Sequence, residues 1–164
     1  MIEKPRFIAD AMLGSLAKWL RIMGFDTLYY RVIEDSELAR IAKQGERTIL
    51  SKDNALCRSK KSGECLLIQS DKIVEQLKEV MKAYHIIPDR MHASMRCTSC
   101  NGNLFPAERN SVSAEVPDYV LQNTNAFLKC EECGKVYWEG SHKRMIEAAI
   151  AVIMKDTGTA EDIA

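Results

Sequence analysis

Two sets of residues in this chain have types and spacings suited to chemistry. The first is a pair of C-x-x-C knuckles, Cys97 with Cys100 and Cys130 with Cys133. Two residues between cysteines let both sulfurs reach one tetrahedral ion at about 2.3 Å. Gly134 after the second pair, and Asn101-Gly102 after the first, permit the tight turn a knuckle needs. All four positions are cysteine, which leaves no coordination position for water, so the spacing predicts a structural Zn²⁺. Without a secretion signal such pairs read as zinc ligands rather than disulfides. The other two cysteines, Cys57 and Cys65, stand alone.

The second set is acidic. Asp10 closes the apolar run "RFIAD"; Glu34, Asp35 and Glu37 follow "TLYYR"; Asp53 follows "RTILS"; Asp71 follows "CLLIQ". In a parallel sheet the C-terminal ends of the strands share one edge, where open α/β sheets bind their ligands. Carboxylates gathered there would raise each other's pKa, and a divalent cation resolves the conflict. Hard oxygen ligands suit Mg²⁺ or Mn²⁺. Two such ions about 4 Å apart could activate water and stabilise the leaving oxygen of a phosphodiester. Each acid taken singly also reads as a helix N-cap, a favoured role for Asp. Asp35 suits that role in "EDSEL", and Asp71 begins an ordinary helix in "SDKIVEQL". The joint placement, rather than any one residue, points to metal.

The elements that must position these acids are legible as alternating patterns. The four runs, at 6–10, 27–31, 47–51 and 65–69, are short, apolar and rich in β-branched or aromatic residues, as buried parallel strands are. Helical periods lie between them. Residues 11–23 align Leu13, Leu16, Ala17 and Leu20; residues 35–44 align Leu38, Ile41 and Ala42; residues 72–83 align Ile73, Leu77, Val80 and Met81. Gly24 and Gly45 fall at helix C-caps. This predicts an α/β domain over 1–84, a linker over 85–95, a zinc ribbon with a C-terminal helix over 96–155, and a frayed tail over 156–164. The final helix should span 142–155, with Met145, Ala149, Val152 and Ile153 on one face.

Apolar residues make up 46% of the 164, enough for a packed core, and 23 basic residues balance 23 acidic ones. That balance argues against non-specific nucleic-acid binding by the whole surface and leaves room for a local basic patch. No apolar run approaches the ~20 residues that span a membrane. Glu3, Arg6 and Asp10 interrupt any signal-peptide pattern, so the expected location is cytoplasmic. Lys18 and Arg21, one turn apart on the first helix, and Lys52 beside Asp53 could hold a nucleic-acid backbone. Each could equally belong to a solvated face. Near the cysteines, His142, Lys143 and Arg144 form a second basic group; His142 could touch phosphate or begin the last helix.

Together, "FIADAMLGSLAKWLRIMGFDT", "ILSKDNAL", the two cysteine pairs and "CGKVYWEGSHKRM" resemble the mut-7 C-terminal RNase domain family over residues 6 to 146. The resemblance implies a PIN-like open parallel sheet flanked by helices, followed by a small zinc ribbon, and the activity of a Mg²⁺- or Mn²⁺-dependent ribonuclease. Carried over by position, Asp10, Asp35 and Asp53 are its metal-binding acids, with Glu37 and Asp71 as further candidates. The four cysteines match its zinc ligands, and Lys18 and Arg21 its basic positions on the first helix. "SKD" stands where the family pattern has "TRD", keeping a hydroxyl and a positive charge. RNA is the expected partner, with the ribbon adding binding surface. The rivals are a non-catalytic RNA-binding or ribosome-associated module, in which the acids are only caps, and a nuclease acting on DNA.

Overall fold

A computed structural model describes residues 4–86 and 96–138, together with Glu147, Ile150, Ala151 and Ile153. Four parallel strands form the first sheet: β1 Phe7–Ala9, β2 Thr27–Tyr29, β3 Thr48–Ser51 and β4 Cys65–Leu67, in the order β2-β1-β3-β4. The chain leaves β1 for β2 on one side and crosses back to β3 on the other. Strand order therefore reverses between β1 and β3, where Phe7, Ile8 and Ala9 pair with Thr48, Ile49 and Leu50.

Alternation along these strands feeds two cores. Phe7, Ala9 and Leu50 face helices α1 (Gly14–Ile22) and α4 (Ile73–Ala83), packing on Leu16, Leu20, Leu77 and Val80. Ile8 and Ile49 face the other way, onto Leu38 and Ala42 of α2 (Asp35–Gln44) and Leu56 of α3 (Asn54–Arg58). Both faces are covered, so the strands read as unbroken apolar runs. Ile153, within the last expected helix, is helical and fully buried against the first core. Its expected companions Met145, Ala149 and Val152 lie outside the described residues, as do 87–95 of the expected linker and the tail.

The helix predicted from residue 11 starts as a single 3-10 turn, Ala11–Leu13, before α1 proper. The Tyr29 ring accounts for Gly14: a Cβ there would lie 2.8 Å from the ring, and the Tyr29 hydroxyl donates to the Ala11 carbonyl at 3.1 Å. The end of α1 is a Schellman turn. Gly24 takes φ 86°, with its amide on the Arg21 carbonyl and Phe25 reaching the Leu20 carbonyl. At the end of α2 the left-handed residue is Glu46, φ 48°, one place beyond the glycine that the pattern suggested. Cys57 of α3 and Cys65 of β4, read as solitary, are joined by a disulfide. A bridge closing so short a loop restricts the unfolded chain by roughly 2–3 kcal/mol.

The second unit is an antiparallel sheet, β5 Leu104–Ala107, β6 Phe127–Cys130 and β7 Val136–Trp138, ordered β5-β6-β7. Between β5 and β6 run two short helices, α5 Arg109–Val112 and α6 Asp118–Asn123, which the sequence pattern does not announce. They close a small core of Val112, Val116, Val120 and Phe127. No helix among the described residues is long and apolar enough to cross a membrane.

A polar joint locks this unit to the N-terminal edge of the parallel sheet. Arg21 is buried; its guanidinium donates to the Thr27 carbonyl at 2.8 Å and the Thr98 carbonyl at 2.9 Å. Asn101 accepts from the Thr27 amide at 2.9 Å and donates to Asp26 at 2.7 Å. Arg47 grips the same carboxylate in bidentate fashion, at 2.6 and 3.0 Å. Burial would raise the Asp26 carboxyl, but the hydrogen bonds from Arg47 and Asn101 outweigh it and hold the carboxyl below its ordinary value. A lowered folded value means stability that is present above the unfolded pKa, near 4, and lost as pH falls through the folded one. Asp26→Asn should therefore cost about 2 kcal/mol at neutral pH. In urea unfolding at a series of pH values, the gap from wild type should close as the pH drops below about 4. A gap independent of pH would contradict the assignment.

Candidate metal-binding edge and cysteine cluster

Asp10 follows β1 and Ser51 ends β3, so both lie at the C-terminal edge where strand order reverses. The Ser51 hydroxyl, wholly buried, donates to Asp10 Oδ2 at 2.8 Å and accepts from the Asp53 amide at 2.9 Å. Asp10 Oδ1 meanwhile accepts from the Ala11 amide at 2.6 Å. Asp53 Oδ1 caps α3, accepting from the Ala55 and Leu56 amides at 2.7 and 3.3 Å. Both acids are thus caps, and the capping geometry leaves them free for more. A carboxylate oxygen has two lone-pair directions, and Asp53 Oδ2 makes no hydrogen bond among the described residues. Neither Asp10 nor Asp53 is ion-paired among those residues. The helix starts behind them supply amide dipoles that favour negative charge.

The other predicted acids are distributed less tightly. Asp35 is the exposed first residue of α2. Glu37, on the same helix, is held in a bidentate ion pair by Arg40, whose hydrogen bonds keep its carboxyl below the usual range. Asp71 is exposed and paired with Lys52, which lowers its carboxyl likewise and occupies the lysine expected at phosphate. No trio of carboxylates among the described residues comes as close together as the cysteines do. Lys18 is exposed on α1. Arg21, expected beside phosphate, is instead committed to the opposite edge of the sheet, where burial lowers its pKa. His142, Lys143 and Arg144 lie outside the described residues.

The four cysteine sulfurs lie within 4.8 Å of one another. Cys97 and Cys133 are 3.5 Å apart, Cys100 and Cys130 3.4 Å. Tetrahedral thiolates around zinc would stand ~3.8 Å apart, between these short separations and the 4.8 Å span of the set, so the four sulfurs suit a Zn²⁺ ion. The two knuckles are built alike. Asn101 and Gly134, each directly after its pair, take left-handed φ values of 71° and 75° and return their amides to the Cys97 and Cys130 carbonyls. Burial alone would raise the Cys97 thiol, but the Tyr137 hydroxyl and the backbone amides of Cys100 and Ser99 outweigh it and bring the thiol down to about 6. Cys100 is pushed up to about 12 by burial and by the neighbouring sulfurs. Four thiols this close cannot all ionise without a cation, which is the electrostatic case for a metal there.

Sequence reasoning missed Asp26, Arg47 and Asn101, whose partners are distant in the chain, and gave Ser51 only a motif role. The only local hint was Asn101 directly after a knuckle, a residue type that tolerates left-handed backbone. Removing the buried Ser51 hydroxyl takes a hydrogen-bond partner from the half-buried Asp10 carboxylate and from the Asp53 amide at once. Ser51→Ala should cost about 1–3 kcal/mol in urea unfolding. A change under about 0.5 kcal/mol would show that the hydroxyl does not carry this junction.

Neither the curated proteins nor the solved structures offer a match to this chain. The family model for the Mut7-C RNAse domain, however, matches residues 5–150, from before β1 to the last helical residues, spanning both the carboxylate edge and the cysteine cluster, and the chain belongs to that family.

Proposed function

We propose that the chain is a divalent-cation-dependent ribonuclease of PIN-like type, with its active edge at Asp10, Ser51 and Asp53. The observation that carries this reading is a pair of carboxylates with no cationic partner among the described residues, joined through one buried hydroxyl at the strand-order reversal. Membership of a family described as an RNAse domain makes RNA the expected substrate. Asp10 and Asp53 would hold Mg²⁺ or Mn²⁺, with Asp35 at the start of α2 as the third acid. The ion would supply the charge that activates water and steadies the leaving oxygen. The chain's own contribution is to fix both acids with backbone amides and Ser51, so that little reorganisation is needed when charge develops. Asp71 and Glu37, each satisfied by its own cation, are assigned to the surrounding surface.

The cysteine cluster is assigned to Zn²⁺ with a bracing role. Its first knuckle docks through Arg21 and Asn101 at the edge away from Asp10, and that supports structure rather than chemistry.

The test is cleavage of end-labelled unstructured RNA, with matched DNA as competitor, across a metal series. Cleavage should require Mg²⁺ or Mn²⁺, and Asp10→Asn and Asp53→Asn should each lower it by at least about 100-fold while the fold persists. Asp71→Asn should stay within about threefold of wild type, a difference under 1 kcal/mol. No cleavage with any metal would overturn the enzyme reading and favour an RNA-binding module; preference for DNA would overturn the substrate. Elemental analysis of the native protein should find about one zinc per chain, lost in Cys130→Ser. Metal-free native protein would contradict the ribbon.

A further inference from the structure

The Cys57–Cys65 disulfide belongs neither to the carboxylate edge nor to the cysteine cluster, yet it acts on the element that holds Asp53. Helix α3 is five residues long and begins directly after Asp53. A helix that short does not persist by itself in water. Its tethers are few. Asp53 caps the Ala55 and Leu56 amides, Leu56 enters the second core, and the Ser62 hydroxyl donates to the Leu56 carbonyl at 2.6 Å. The disulfide from Cys57 to β4 is the covalent one. Cys57 also donates its amide to the Asp53 carbonyl at 3.1 Å, so the bridge lies one helical turn from the acid. Both cysteines are only partly buried, which leaves the bridge open to a thiol in solution.

We propose that Cys57–Cys65 is a redox-controlled clamp on α3, closed when oxidised and released when reduced. The agent is a dithiol reductant. One of its thiolates attacks a bridge sulfur, forming a mixed disulfide and expelling the other cysteine as a thiolate. Its second thiol then displaces the remaining cysteine. The reductant leaves as its own disulfide, and two electrons and two protons end on Cys57 and Cys65. With the clamp open, α3 frays and its amides no longer orient the Asp53 carboxylate. The effect on cleavage rests on the reading of Asp53 as a metal ligand; the effect on α3 does not.

The experiment compares zinc-loaded protein before and after dithiothreitol. Denaturing alkylation with a chelator should count four thiols before and six after, the difference being Cys57 and Cys65. Hydrogen exchange of the amides from Ala55 to Ser62 should quicken at least about tenfold on reduction. RNA cleavage at limiting Mg²⁺ should fall about tenfold, as when a residue supporting a metal ligand is lost. The double variant Cys57→Ala/Cys65→Ala should match the reduced protein and ignore the reductant, which separates this bridge from the other four cysteines. Six free thiols in protein isolated without reductant, or exchange across α3 that is the same in both states, would overturn the clamp. Absence of cleavage in both states would instead sink the nuclease reading, and exchange would still decide the clamp.

Discussion

The structure turns on one hydroxyl. Ser51 is the last residue of a strand buried on both faces, and its Oγ joins the acid after β1 to the backbone of the acid after β3. Two carboxylates that follow neighbouring strands would otherwise repel one another. Here the hydroxyl lies between the first acid and the chain of the second, and each acid also accepts from amides at the helix start that follows it. Those amides orient the carboxylates and bring no opposing full charge to them. The junction therefore keeps negative charge in place and leaves it available to a cation.

The two edges of the sheet are treated in opposite ways. At the N-terminal edge Asp26 is satisfied on all sides by Arg47 and Asn101, while Arg21 spends its guanidinium on backbone carbonyls of β2 and the first knuckle. That edge is closed, and the cysteine unit docks on it. The C-terminal edge has no such partners for Asp10 and Asp53 among the described residues. Such asymmetry costs stability at the open edge, and it accords with ligands binding where strand order reverses. Under the proposed reading it also separates two metal chemistries, soft thiolates at one end and hard oxygens at the other.

Much of this was legible in the chain because local patterns and global packing agree. The apolar runs predicted all four parallel strands within about two residues, and α2 appeared over the span its period suggested. The knuckles announced themselves by spacing. What escaped were arrangements that depend on distant partners. Arg21 looked like a surface cation on an amphipathic helix, and only the docked knuckle makes it a buried bridge. Lys52 and Asp71 are nineteen residues apart, and nothing local signals their pairing. Cys57 and Cys65 carry no metal-like spacing, so the fold alone brings α3 and β4 together. Asp10 and Asp53 were ambiguous between cap and ligand, and the geometry accommodates both roles.

The most direct measurement is the anomalous scattering of manganese in crystals soaked with Mn²⁺. The account predicts an ion bound by the carboxylates of Asp10 and Asp53, lost from the same edge in Asp10→Asn. Manganese bound elsewhere, with this edge empty in a protein that cleaves RNA, would contradict it.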